Sequence, residues 1–203
     1  MIRVHIAPTP NGRKVTIALE ELGAPYETVK LDLGADEQKN ATFLALNPNH
    51  KIPVLEDGSR VVWESGAILL YLGEEHDPEQ RILPKAHRWE AIQYAFFQTG
   101  GIGPNVGRLG AQLQRPEDER NAEMIKIFSD EVDRLIGVLD RILGDGRPYL
   151  AHDYSIGDIM HYPWLAPVLA LGAPMITGRK RVVEWMERIA ARPAVKRGME
   201  ASG

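Results

Sequence analysis

"IPVLEDGSRVVWESGAILLYL" (residues 52–72) holds two periodicities, one on each side of Glu64. Asp57-Gly58 falls between β-rich runs, and an Asp-Gly pair supplies the positive φ angles of a tight hairpin turn. The two runs are therefore expected as paired strands. From Ser65 onward, Ile68, Leu69 and Leu72 recur at helical spacing, so a helix is expected to leave the hairpin directly. Upstream, "IRVHI" (residues 2–6) alternates apolar and polar, the period of a half-buried strand. Val15, Ala18, Leu19 and Leu22 recur at i, i+3, i+4 and i+7 with Gly23 as C-cap, predicting a helix over about residues 12 to 22. "YETVKL" (residues 26–31) alternates again, and a second helix is expected from about residue 36 to 46, where "NPN" stops it. The order is β-α-β-α-β-β-α.

Beyond Asp77-Pro78 the period changes. From about residue 85 only helical periodicity remains, broken by "GGIGP", "GDGRP" and "LGAP". Ile125, Phe128, Val132, Leu135, Val138, Leu139 and Ile142 form one long apolar stripe. The expected organisation is an α/β domain over residues 1–77, a linker over 78–84 and an all-helical domain over 85–203.

The bulk numbers exclude several classes. The chain's 203 residues, 44% hydrophobic and 26% charged, are enough for a core without covalent staples. A net charge of −4 with both signs interspersed gives no footprint for nucleic acid or an anionic membrane. No apolar run approaches the roughly 18 residues of a bilayer span. "MIRVHIAP" lacks the apolar core and cleavage site of a signal peptide, so the cytoplasm is the expected compartment. With no cysteine, disulfides, Cys-ligated zinc and a protein-borne thiol nucleophile are all excluded. His5, His50, His76, His87, His152 and His161 show no metal-ligand spacing, and no metal site is expected. Any thiol chemistry must borrow its sulfur.

Three stretches carry candidate chemistry. Thr9-Pro10-Asn11-Gly12 opens the first helix; it serves as an N-cap, or as an anion site exploiting the positive helix terminus, which also stabilises a thiolate. In "NHKIPVL", Pro53 enters a strand where it cannot donate to the ladder, and the base rate of X-Pro bonds favours trans. Glu64-Ser65 reads as a Ser cap beside an acid, or as a seat for a zwitterion.

In this order and on these elements, "APTPNGRKVTIALEELGAPYE", "NPNHKIPVL", "ESGAILLYL", "QTGGIGP" and "YSIGDIM" resemble the glutathione transferases over nearly the whole chain. Within that family they look most like the bacterial nu class and its fungal nitrogen-regulator relatives. The resemblance implies a thioredoxin-like N-terminal domain followed by an all-helical C-terminal domain. It implies a cis Pro53 that exposes Ile52 to the cysteinyl amide of glutathione, and Glu64 and Ser65 on the γ-glutamyl end. It also places Lys51 near the glycyl carboxylate and Gln38 toward the γ-glutamyl end. Thr9 and Asn11 take the place where other classes carry Tyr, Ser or Cys, and so become the donors to a glutathione thiolate. Ser155 and Asp158 stand at capping-box spacing and read as folding residues.

The activity this implies is glutathione-dependent reduction of a small disulfide, with some conjugation or peroxidase activity. A conventional detoxifying conjugase and a non-catalytic, glutathione-binding regulator are the alternatives. The partners implied are glutathione, a small disulfide or electrophile, and a second copy in a homodimer, with neither nucleic acid nor membrane. An electrophile pocket is expected between the domains, lined from the fourth helix, where "YAFFQTGGIGPNVG" offers Phe96, Phe97, Ile102 and Val106.

Overall fold

The computed structural model describes residues 1–201, which form two compact units. The first takes in Met1–Arg88 together with residues 190–201. Its sheet has the order β2-β1-β3-β4, with β1 (Ile2–Ile6), β2 (Tyr26–Lys30), β3 (Val54–Asp57) and β4 (Arg60–Trp63). The alternation in "IRVHI" is realised as expected: Ile2, Val4 and Ile6 are buried. β1 pairs parallel with β2, which requires a crossover, and α1 (Pro10–Leu22) supplies it. Gly23 ends α1 in the left-handed region at φ 63°. Antiparallel pairing joins β1 to β3 and β3 to β4, and Gly58 makes the hairpin turn at φ 60°. α1 buries Val15, Ile17, Ala18 and Leu19, and α3 (Ser65–Glu75) buries Ile68, Leu69 and Leu72. Each of the Val, Leu and Ile side chains among them contributes about 1.5–3 kcal/mol when fully buried.

Three boundaries differ from the sequence expectation. α1 starts earlier, because Pro10 occupies its first turn and Thr9 caps it. The second helix is interrupted. A 3₁₀ turn over Glu37–Lys39 precedes α2 (Ala41–Leu46), and between them Asn40 turns extended and accepts from the Phe43 N–H at 2.8 Å. Residues 78–84 fold back onto the first unit. There the Asp77 carboxylate gathers the N–H groups of Arg81, Ile82 and Leu83 at 2.7, 2.8 and 3.2 Å.

Chain order also fails to follow compact unit at the C-terminus. α10 (Pro193–Ala201) packs on α1, where Thr16 Oγ1 donates to the Gly198 carbonyl at 2.6 Å. A Cβ at position 198 would stand 2.5 Å from Ile17 Cα, so the contact requires glycine. Arg192 forks onto Glu21 at 2.6 and 2.8 Å, and Arg197 reaches Glu20 at 2.6 Å.

The second unit, Trp89–Ile189, is helical. Its elements are α4 (Arg88–Phe97), α5 (Gly103–Leu113), α6 (Ala122–Ile142), α7 (Ile156–Ala170), α8 (Pro174–Thr177) and α9 (Lys180–Ala190). The predicted break at "GGIGP" is a wide π turn over Gln98–Ile102. Gly101 passes close to Leu135, and a Cβ on Gly103 would lie 2.7 Å from the Gln98 amide nitrogen. The apolar stripe of α6 is buried at Val132, Leu135 and Leu139, with Ile125 and Phe128 only half-buried. Ser155 and Asp158 form the expected capping box at the start of α7. Asp158 also accepts from the Leu150 N–H at 3.1 Å and from Trp185 Nε1 at 2.8 Å, tying α9 to the cap.

Candidate functional site

The sheet's register gathers the candidate residues at one end of the first unit. Val54 pairs with His5 on one side and Trp63 on the other, so the chain leaving β1, the chain entering β3 and the chain leaving β4 are neighbours. One step further out stand Pro53 and Glu64, while the exit of β1 leads through Ala7 into Thr9. Two helices, α1 and α3, start here, and each start carries about half a positive charge.

At the first start, the Thr9 hydroxyl accepts from the Gly12 N–H at 3.2 Å, the expected cap. Its own hydrogen remains a donor to whatever lies ahead of the helix. Gly12 is required by close approach, since a Cβ there would be 2.4 Å from the Ala7 carbonyl oxygen. Asn11 follows in the first turn, half-buried.

The residue that organises these groups is Lys14, only 2% exposed. Its ammonium donates to Asn11 Oδ1 at 2.9 Å and to Ser65 Oγ at 3.4 Å. An ammonium can only donate, so the amide oxygen must face it and the Asn11 NH₂ must face the other way. Burial pushes Lys14 down to about 7, with the Glu64 charge pulling upward against it. Lys14 was not among the candidates named from the sequence. The signal was available: Lys14 precedes Ile17 and Ala18 by three and four positions, on the face α1 buries.

At the second start, Ser65 is buried in the first turn of α3 and Glu64 is exposed just before it. Glu64 has φ 73° and ψ 121°, a conformation that costs a non-glycine residue about 1–3 kcal/mol. Such strain concentrates where side-chain direction matters for function. The Ile52–Pro53 bond is cis, as the resemblance implied and the base rate did not. Lys51 projects an exposed side chain, while its carbonyl accepts from Asn47 Nδ2 at 2.7 Å.

Gln38 lies in the 3₁₀ turn after β2, where its amide donates to Asp36 at 3.3 Å. Its Oε1 is shielded from water without a hydrogen-bond partner. Among the described residues no hydrogen bond joins Gln38 to Glu64 or Ser65. Two possible substitutes for a sulfur donor are engaged elsewhere. Tyr26 pairs with Ile2 at the far end of β1 and donates to Glu20 at 3.0 Å, and His5 is bonded to Glu56 at 2.7 Å. Of the aromatic and aliphatic candidates in the second unit, Phe96 is exposed, Phe97 lies against His161 and Val106 is half-buried. Ile102 is fully buried in that unit's core and has no surface to offer a ligand.

The chemistry of this end of the sheet is specific. A hydroxyl and an amide NH₂ stand at one positive helix start, a strained carboxylate at the other, and a buried ammonium joins the two. That set suits a zwitterionic ligand bearing a second anionic group.

Comparison with known proteins gives an independent reading. The model of the glutathione S-transferase N-terminal domain matches residues 1–74, and that of the C-terminal domain matches residues 102–193. The disulfide-bond oxidoreductase YfcG of Escherichia coli (strain K12) is 35% identical over 208 residues, covering 96% of this chain and 92% of that protein. A glutathione transferase family member from Pseudomonas fluorescens, solved with two glutathione bound, has a TM-score of 0.90 at 36% identity, covering 98% of this chain and 92% of that one. The glutathione transferase from Pseudomonas putida, solved with one glutathione disulfide per subunit, has a TM-score of 0.90 at 36% identity, covering 100% and 92%.

Proposed function

The chain belongs to the glutathione S-transferase family, and from that premise we propose that it holds glutathione at the paired helix starts and uses the thiolate to reduce small disulfides. Conjugation or peroxidase activity accompanies this at a lower rate. The observation that carries the reading is the junction of Asn11, Lys14 and Ser65 beside the Thr9 cap, in a chain without cysteine. It provides two hydrogen-bond donors and a positive helix terminus for a visiting sulfur, and no protein thiol to compete with it.

A thiol with pKa near 8.5 is only a few per cent ionised at pH 7. Thr9 and Asn11 each donate to the sulfur, and a hydrogen bond to a charged group contributes about 1.5–3 kcal/mol. One pKa unit corresponds to about 1.4 kcal/mol, so two such donors with the helix start bring the thiol below neutrality. The carboxylate of Glu64 receives the γ-glutamyl ammonium, and the N–H groups at Ser65 receive its carboxylate. Gln38 stands on the γ-glutamyl side by resemblance alone, and its amide would have to turn away from Asp36 to reach that ammonium. Ile52 pairs with the cysteinyl amide through its backbone, and Lys51 meets the glycyl carboxylate. Glutathione itself supplies the reducing chemistry. Two of its thiols yield two protons and two electrons, the substrate disulfide takes them up to leave as two thiols, and glutathione disulfide forms.

The test is a pair of assays on the same preparation, with a hydroxyethyl disulfide and with a chloronitrobenzene. Faster turnover of the disulfide is expected. Conjugation turning over much faster identifies a conventional conjugase instead, and glutathione binding with no turnover of disulfide, peroxide or electrophile identifies a regulator. We place the protein in the cytoplasm as a homodimer. Trp89 and Phe96, exposed at 76% and 68%, lie seven residues apart on one face of α4 and support a partner surface there.

A further inference from the structure

We infer that Lys14 is a positioning residue for the glutathione site, tying the Asn11 amide to the Ser65 hydroxyl so that the sulfur donor and the γ-glutamyl seat are held in one geometry. The inference rests on the reading of Asn11 as a donor to sulfur.

Without a fixed partner, an asparagine amide presents oxygen or nitrogen to the ligand with little preference. Oxygen forward would repel a thiolate. Lys14 removes that choice, because Nζ at 2.9 Å has only hydrogens to offer and captures Oδ1. The same ammonium reaches Ser65 Oγ at 3.4 Å, in the first turn of the other helix. Both contacts run to candidate ligand-binding residues, one on each side of the site. As a core-filling group Lys14 is a poor choice. Methionine has similar length, fills the same space and needs no desolvation of a charge. A buried cation retained at this point is therefore better explained by the site than by the fold. The Glu64 charge, at the start of α3, favours the ammonium form and partly opposes the effect of burial.

The experiment is a double-mutant cycle in the full-length chain with Lys14→Met, Asn11→Ala and the pair, repeated with Lys14→Gln as the second Lys14 variant. The readouts are the pH titration of bound glutathione's thiol, followed by thiolate absorbance, the kcat/KM for a small disulfide, and the Tm. Lys14→Met is expected to keep or raise the Tm, to move the thiol titration up by about one unit and to lower kcat/KM about tenfold at neutral pH. In the Asn11→Ala background the same change is expected to add little, because a residue acting through Asn11 has nothing left to orient. A thiol titration unmoved by both Lys14 variants, or a shift fully additive with Asn11→Ala, overturns the inference while the glutathione reading stands. A thiol titration unmoved by Asn11→Ala overturns the sulfur-donor reading, and this inference with it.

Discussion

Thr9→Val is the perturbation that separates a folding role from a chemical one at the start of α1. Valine matches threonine in shape and removes only the hydroxyl. That hydroxyl does two things: it accepts from the Gly12 N–H at 3.2 Å, and its hydrogen is a donor ahead of the helix. Losing an N-cap costs about 0.5–2 kcal/mol, and at this long distance the lower half of that range applies. Losing a hydrogen bond to a charged sulfur costs about 1.5–3 kcal/mol, reduced here because Thr9 is only half-buried. The thiol titration of bound glutathione should therefore rise by about one unit, and kcat/KM at neutral pH should fall about tenfold. Urea unfolding reads the first cost, and thiolate absorbance against pH, with turnover of a small disulfide, reads the second. Thr9→Ser keeps both functions of the hydroxyl and should match the parent in every assay. If Thr9→Val loses stability while the thiol titration and turnover stay in place, Thr9 is a cap alone and the sulfur reading of this helix start is refuted.

Two further outcomes are expected from the packing. Gly198→Ala places a methyl 2.5 Å from Ile17 Cα and 2.6 Å from its nitrogen, so it should destabilise the first unit by about 3 kcal/mol; an unchanged urea midpoint contradicts the docking of α10 on α1. Burial pushes the Asp158 carboxyl up from 3.8 to about 6 in the folded chain, against the four hydrogen bonds it accepts. The folded state then holds this proton more tightly than the unfolded state, so the contribution of Asp158 to stability falls as pH rises from about 4 to 6. Two units correspond to about 3 kcal/mol. Asp158→Asn removes that slope, so its stability relative to the parent should improve across this window. A difference between the two that does not vary with pH refutes the assignment.

How much of this was legible in the sequence depended on whether the determinant was local. The β-α-β-α-β-β-α order, the Asp57-Gly58 turn and the Ser155–Asp158 cap all followed from neighbours within one turn or hairpin. The break of the second helix at Asn40 was equally local and was overlooked, because a capping asparagine inside an apolar pattern looks like an ordinary polar residue. The docking of α10 was not legible. Gly198 and Arg192 acquire meaning only through Ile17 and Glu21, more than a hundred and fifty residues earlier, and period along the chain carries no such information. Within the candidate site, Thr9, Asn11, Glu64 and Ser65 were named from motif and helix-start physics. The sheet register explains why they meet. The conformation of Glu64 at φ 73° was beyond the sequence, since nothing about a glutamate signals a positive φ. Lys14 was passed over for the opposite reason: its position on the buried face of α1 was visible, but a lysine there does not by residue type announce itself as buried.

The claim at the centre is that the paired helix starts bind glutathione and keep its sulfur ionised. Titration calorimetry of the full chain near neutral pH, run with reduced and with oxidised glutathione in two buffers of different ionisation enthalpy, tests this most directly. Saturable uptake of both forms is expected, with the reduced form releasing more protons than the oxidised form because only it has a thiol to ionise. No uptake of either at millimolar concentration, or uptake of both with identical proton release, contradicts the claim.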